Sequence, residues 1–292
     1  MGKASKDKRD VYYRKAKALG YRARSAFKLE QLDEQCDLLS KATNIVDLCA
    51  APGSWSQYIA RRMRDLGRAK ESRIIAIDLQ EMAPIEGVKM LQADITKKST
   101  LEEILRYFGN TPADIVVSDG APDVTGLHDI DEYVQAQLVL AALNVASQML
   151  RPGGSFVAKV FRQKDTDLLY SQLKMYFPDV AVVKPRSSRN SSIEAFVVCR
   201  NYSPVPGFVP VIISSDPSKN AEGEALSDMN RIAVPFISAG DLSGLDSDMS
   251  YSLDADIGDL SYVPLPPVVA PIQPPYAEAL RRKREADGQK QE

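Results

Sequence analysis

The chain is predicted to be an α/β protein, with a mostly parallel sheet covered by helices on both faces. Three observations carry that prediction. Between residues 43 and 200, short apolar runs alternate with amphipathic stretches. Most of the apolar runs are rich in Ile and Val, as strands buried on both sides require. The run Ile45-Val46-Asp47-Leu48 enters a turn of small residues, Cys49-Ala50-Ala51-Pro52-Gly53, and a helical pattern leaves it from Ser56.

Residues 1–40 form a basic N-terminal helical arm in this reading. Residues 1–28 carry ten Lys/Arg against two Asp. Tyr12 and Tyr13 are interleaved with the cations, a pattern in which charges meet phosphates while rings stack on bases. Ser25–Leu32 is helical, with Phe27, Leu29 and Leu32 on the buried side and Lys28 out of step with a solvated stripe. The body, residues 41–200, then follows as Ile45–Leu48, Arg73–Asp78, Val88–Leu91, Asp114–Asp119, Ser155–Val160, Val180–Val183 and Glu194–Cys199, seven strands. Helices are expected near 98–108, 130–150 and 165–176, the second ending at Arg151-Pro152-Gly153-Gly154. No helix is evident between the last two strands, so an antiparallel pair is possible there.

Residues 201–292 differ in kind. They hold 11 of the 18 prolines and fourteen Asp/Glu against seven Lys/Arg. Such a Pro-rich, acidic extension cannot build its own core, so it is expected to be partly ordered at most. Two apolar islands, Phe208–Ile213 and Ile232–Ile237, suggest that it clips onto the body or a partner.

Composition excludes several functions. No apolar run spans a bilayer and no signal-peptide pattern opens the chain, so no membrane partner is expected. Three cysteines without C-x-x-C spacing and a single His128 argue against a zinc site, a disulfide frame and a Ser-His-Asp triad. No metal is expected, and the cysteine usage points to a reducing, cytoplasmic setting.

The loop after Leu48 sits where open α/β sheets bind ligands, outside the carboxyl ends of the strands. It lacks both the G-x-G-x-x-G and the G-K-[ST] phosphate cradles. A nucleoside without phosphate is therefore expected, and S-adenosylmethionine fits. Asp47, Gly53, Ser54 and Trp55 line this stretch. Asp78 ends the second strand, where a carboxylate accepts from ribose hydroxyls, and Asp94 follows the third, where one can accept from the adenine amino group. Asp119, Lys159 and Glu194 are ionisable groups at strand ends of one sheet. A lysine alone inside such a sheet is costly, so convergence at the ligand edge is expected. Arg186 and Arg189, in the loop before Glu194, suit phosphate and 2′-hydroxyl contacts, and Arg22 and Arg24 extend that basic floor.

DLCAAPGSWSQ, residues 47–57, resembles the first S-adenosylmethionine motif of the FtsJ-like RNA ribose 2′-O-methyltransferases. The resemblance covers roughly residues 1–200 and pieces of the tail. It implies a Rossmann-like methyltransferase fold and a catalytic tetrad of Lys28 in SAFKL, Asp119 in SDGAPD, Lys159 in VAKVF and Glu194 in SSIEAF. Lys159 is then the base, or a cation that steers the hydroxyl. Burial and Lys28 lower its pKa while Asp119 and Glu194 raise it, and sequence does not decide between them.

The phrases KDKRDVYYRKAK, GYRARSAFKLEQL and KPRSSRNSSIEAF resemble the eukaryotic branch that modifies the tRNA anticodon loop at position 32, 34 or both. That branch works with separate accessory proteins, including a WD-repeat protein for position 34. Two alternatives stay open: an FtsJ-like enzyme of rRNA or the mRNA cap, and a non-catalytic RNA-binding subunit with a vestigial site.

Overall fold

Along each central strand, successive side chains enter opposite apolar layers, which is why the strands read as continuous Ile/Val runs. The computed structural model describes residues 10–122, 128–162, 166–203, 236–240, 244, 247–249, 278 and 281–282. In chain order the elements are α1 (Val11–Ala18), α2 (Ala26–Cys36), β1 (Asn44–Leu48), α3 (Ser54–Asp65), β2 (Arg73–Asp78), β3 (Val88–Gln92) and α4 (Lys98–Tyr107). They continue as β4 (Ala113–Ser118), α5 (His128–Met149), β5 (Leu150–Phe161), α6 (Thr166–Tyr176), β6 (Asp179–Pro185), β7 (Glu194–Arg200) and β8 (Phe236–Ala239).

The sheet order is β3-β2-β1-β4-β5-β7-β6-β8. β7 runs antiparallel to both β5 and β6, and every other pairing is parallel. The fold is thus the Rossmann-like methyltransferase sheet, with the last two of the seven expected strands antiparallel. An eighth strand, β8, comes from the edge of the second apolar island and pairs with β6. On one face, Val46, Ile75, Val116, Phe156 and Val197 pack with Ile104 of α4 and Leu143 of α5. On the other, Ile45, Ile74, Ile115, Val157 and Phe196 pack with Leu29 of α2 and Ile59 of α3.

Residues 10–40 are part of that second layer: Val11, Ala16, Phe27, Leu29, Leu32 and Leu39 are buried. Tyr12 is buried against Phe27, with ring centroids 5.6 Å apart, so its ring is occupied by the core and not available to a base. β5 also starts earlier than expected, at Leu150 directly after α5, with residues 151–153 exposed. Arg151 is held there by Asp114, 2.6 Å away. The other Asp114 oxygen accepts from both N–H and hydroxyl of Thr43 and from the N–H of Asn44, tying β1 to β4 at the end remote from the ligand edge.

Expectations for residues 1–9, for Phe208–Ile213 and for most of the C-terminal extension lie outside the described residues. Among the described residues, no helix is long and apolar enough to cross a membrane and no cluster of His, Cys, Asp or Glu could hold a metal.

Candidate functional site

Parallel strands deliver their last residues to one edge, and antiparallel β7 delivers its first residue to that same edge. Asp78 ends β2, Asp119 follows β4, and Lys159 lies near the end of β5. Glu194, opening β7, pairs with Phe161 of β5. Lys28, in the first turn of α2, reaches the same place from the neighbouring layer.

Lys28, Glu194, Lys159 and Asp119 form a line of alternating charge. Lys28 Nζ lies 2.7 Å from Glu194 Oε2, and Lys159 Nζ lies 3.7 Å from that same oxygen. At its other side Lys159 Nζ is 2.8 Å from Asp119 Oδ1 and donates to the Asp119 carbonyl at 2.9 Å. Ser188 Oγ donates to Glu194 Oε1 at 2.7 Å. Burial disfavours the Lys159 ammonium, but the Asp119 and Glu194 charges and the Asp119 hydrogen bond outweigh it, and its pKa rises above the ordinary lysine value. Burial likewise works against the Glu194 carboxylate. Lys28 and Lys159, with the hydrogen bonds from Lys28 and Ser188, win and hold it well below the usual range. Lys159 is thereby kept an ammonium and Glu194 a carboxylate.

Beside it lies the loop between β1 and α3. Gly53 has φ +104°, and a Cβ there would stand 2.7 Å from Arg22 Nη1 and 2.8 Å from Ile85 Cδ1. Only glycine takes that backbone and that contact together. No side chain caps α3, so its opening N–H groups at Ser54 and Trp55 face the ligand edge as donors. Gly120 brings the loop after β4 against this one, where a Cβ would meet Cys49 Cβ and Sγ at 3.0 Å. Asp78 accepts from the N–H of Ala51 and of Gln80, each at 2.8 Å. Asp94 Oδ1 accepts from the N–H and the hydroxyl of Thr96.

Asp47 is wholly buried. Its Oδ2 accepts from Ser56 Oγ at 2.5 Å, while Oδ1 has no hydrogen-bond partner among the described residues. Burial pushes its pKa up to about 7 against the Ser56 bond, with Asp119 and Asp78 adding to the rise. Acidic side chains at 78, 94 and 119 beside a helix start, with the buried Asp47 behind the loop, suit a cationic, hydroxyl-bearing nucleoside and disfavour phosphate. The residues present fit S-adenosylmethionine.

The remaining expected residues sit differently from one another. The Trp55 indole is in the core against Phe196, its Nε1 donating to the Ser25 carbonyl at 2.9 Å. Arg22 donates to the carbonyls of Pro52, Ala83 and Pro84 at 2.8–3.0 Å, bridging the Gly53 loop to the β2–β3 connection. Arg24 pairs with Asp10 and donates to the Ser187 carbonyl. Arg189 lies 3.4 Å from Asp10, and the Arg186 N–H donates to Ala239. Arg186 and Arg189 flank the quartet through Ser188, whereas Arg22 belongs to the Gly53 loop.

One residue escapes sequence reasoning. Gln135, 2 % exposed on α5, donates from Nε2 to the carbonyls of Gly120 and of Lys159, at 3.1 and 2.8 Å. It joins the ends of β4 and β5 beneath the quartet. The available signal was its place in the buried stripe Asp131, Gln135, Val139, Leu143, where a polar residue needs a buried partner.

The FtsJ-like methyltransferase family model matches residues 21–202. A tRNA (cytidine(32)/guanosine(34)-2′-O)-methyltransferase from Homo sapiens is 56 % identical over 286 residues, covering 97 % of this chain and 86 % of that protein. The enzyme of the same name from Schizosaccharomyces pombe is 51 % identical over 292 residues, covering 97 % and 98 %. A crystal structure from Plasmodium falciparum, described as a ribosomal RNA methyltransferase, superposes with a TM-score of 0.56 at 29 % identity, covering 62 % of this chain and 98 % of that one.

Proposed function

Because the chain belongs to the FtsJ-like methyltransferase family, we propose that it methylates the ribose 2′-hydroxyls of tRNA nucleotides 32 and 34 in the anticodon loop. The observation that carries the chemistry is the half-buried line Lys28–Glu194–Lys159–Asp119 at the carboxyl edge of the sheet, beside the Gly53 loop. The substrate rests on near-full-length relatives from a human and a yeast source, both bearing that activity in their names.

When bound, S-adenosylmethionine supplies an electrophilic methyl group on a sulfonium leaving group. Gly53, Ser54 and Trp55 would hold it through main-chain N–H groups, Asp78 through the ribose and Asp94 through the adenine, with Asp47 buttressing the loop and Asp119 beside the methyl. Lys159 acts as an ammonium. It spends one N–H on the Asp119 carboxylate and one on the Asp119 carbonyl. Glu194 Oε2 stands farther off, at 3.7 Å, and the third N–H is offered to a ribose oxygen. That hydrogen bond turns the hydroxyl's free lone pair toward the methyl carbon, the alignment that carries most of the rate gain in such a transfer. When the ribose oxygen takes the methyl group, the Asp119 carboxylate would accept the hydroxyl proton. Glu194 and Lys28 fix the nucleotide and balance the charge of Lys159.

Residues 41–200, with Lys28 contributed by the preceding segment, perform the transfer. Residues 1–40 and the loop bearing Arg186 and Arg189 meet RNA phosphates, Arg22 and Arg24 shaping the floor beneath them. Residues 201–292 form the extension. The choice between positions 32 and 34 falls to separate accessory proteins, a WD-repeat protein for position 34. That assignment rests on the phrases shared with the anticodon-loop branch. A cytoplasmic setting suits three cysteines that are all unpaired.

The test is methylation of unmodified tRNA, rRNA and capped mRNA side by side, with the labelled nucleotide mapped. Label at tRNA positions 32 and 34 supports the proposal. Label confined to rRNA or the cap overturns the substrate assignment.

A further inference from the structure

Two pieces of the C-terminal extension grip the loop joining β6 to β7. β8 lies parallel on β6, Ala239 opposite Pro185, and the buried Ala239 accepts from the Arg186 N–H at 2.6 Å. Gly240 follows with φ +98°, and a Cβ there would stand 2.9 Å from Arg186 Cβ and 3.1 Å from Gln31 Cδ. Further on, the buried Ser247 donates from Oγ to the Ser188 carbonyl at 2.9 Å. Asp248 accepts from the N–H and the hydroxyl of Ser191 at 3.1 and 3.3 Å.

The gripped loop, residues 186–193, has a single apolar side chain, the exposed Ile193, to anchor it. Its conformation is therefore set by polar contacts, which hold a segment only as well as their partners are held. From the N-terminal side it has Gln31, which accepts from the Ser187 N–H at 2.9 Å, and the Asp10–Arg24 pair. From the C-terminal side it has Ala239, Ser247 and Asp248. The last link is short: Ser188, 2 % exposed, has a single hydroxyl proton and gives it to Glu194 Oε1. Ser188 thus holds one oxygen of the Glu194 carboxylate while Lys28 holds the other.

We propose that the extension is a positioning element for the methyl transfer, in which Ser247 fixes Ser188 and Ser188 fixes Glu194. This rests on the assignment of Glu194 to the transfer site. Neither serine touches the methyl group or the ribose. Both act through the carboxylate.

The full chain is tested as Ser188→Ala, Ser188→Thr, Ser247→Ala and the Ser188→Ala/Ser247→Ala double variant, with Lys159→Ala as reference, under conditions where the wild type methylates tRNA. S-adenosylmethionine affinity and thermal midpoint are measured alongside. Loss of the Ser188 hydrogen bond lowers kcat about tenfold with cofactor affinity unchanged, and Ser188→Thr restores most of the rate. Ser247→Ala lowers kcat about threefold, and the double variant is no slower than Ser188→Ala, because both changes act through one bond. Wild-type rates in both serine variants, with Lys159→Ala inactive, would overturn this proposal and leave the transfer-site assignment standing. A fully active Lys159→Ala would overturn that assignment, and this proposal with it. Equal losses in Ser188→Ala and Ser188→Thr, tracking a lowered thermal midpoint, would show a structural role only and also overturn it.

Discussion

Replacing Glu194 by Gln removes the one negative charge shared by the half-buried Lys28 and the buried Lys159 while keeping the side chain's shape. At an effective dielectric constant of about 20, opposite unit charges at the observed 2.7 and 3.7 Å attract by roughly 6 and 4.5 kcal/mol before desolvation is counted. Desolvation offsets much of that, and breaking one partner of such a buried pair costs about 3–5 kcal/mol. For a fold of this size that corresponds to a fall of about 10 °C in Tm at neutral pH. The pH dependence has a definite sign. The Lys28 and Lys159 charges hold the native Glu194 pKa below its unfolded value of about 4.3, so its contribution is complete above about pH 5. The contribution is lost as pH falls through the native value. The Tm gap between wild type and Glu194→Gln, followed by circular dichroism, is therefore constant from pH 6 to 8 and narrows below about pH 4. A gap under 2 °C at neutral pH, or one still undiminished at pH 3, would refute the reasoning.

Three further outcomes follow from other contacts. Gly53→Ala forces a Cβ against Arg22 and Ile85 at a φ of +104°, so S-adenosylmethionine binding by calorimetry weakens about tenfold or more, and unchanged affinity would remove this loop from the cofactor site. Gln135→Leu keeps the volume but leaves the Gly120 and Lys159 carbonyls without their donor; the transfer rate in single-turnover assays falls about tenfold while tRNA affinity holds. Asp114→Ala strips four donors of their acceptor at the remote end of the sheet, so chemical denaturation shows a loss of about 2–4 kcal/mol while the rate at 25 °C stays within about twofold.

Much of this molecule was legible in its sequence, for definite reasons. The Ile/Val runs placed β2 and β4 within a residue of their observed limits, because strands buried on both faces leave little alternative. Asp119, Lys159 and Glu194 were legible because they stand at the ends of otherwise apolar strands, where an unpaired charge is costly, whereas Lys28, on a helix, joined them only through the resemblance to the FtsJ-like enzymes. What was illegible depends on distant partners. β8 needed the exposed edge of β6, which no local pattern reveals. Tyr12 reads like a base-stacking ring until Phe27 is placed beside it, and Arg22 reads like a surface cation until its three carbonyl acceptors come into view. The charge on Lys159 was a contest between burial and two carboxylates, decided by distances of 2.8 and 3.7 Å. Gln135 was missed because one polar residue in a long helix pattern stands out only when its face is known to be buried.

The most direct test of the central claim is tritium transfer from labelled S-adenosylmethionine to unmodified tRNA, comparing wild type with Lys159→Met, each with and without accessory proteins. Wild type places label on nucleotides 32 and 34, and removal of the ammonium lowers the rate at least about a hundredfold while cofactor binding persists. Label at those positions at an undiminished rate in Lys159→Met, or no label on tRNA from a wild type that binds the cofactor, would contradict the account.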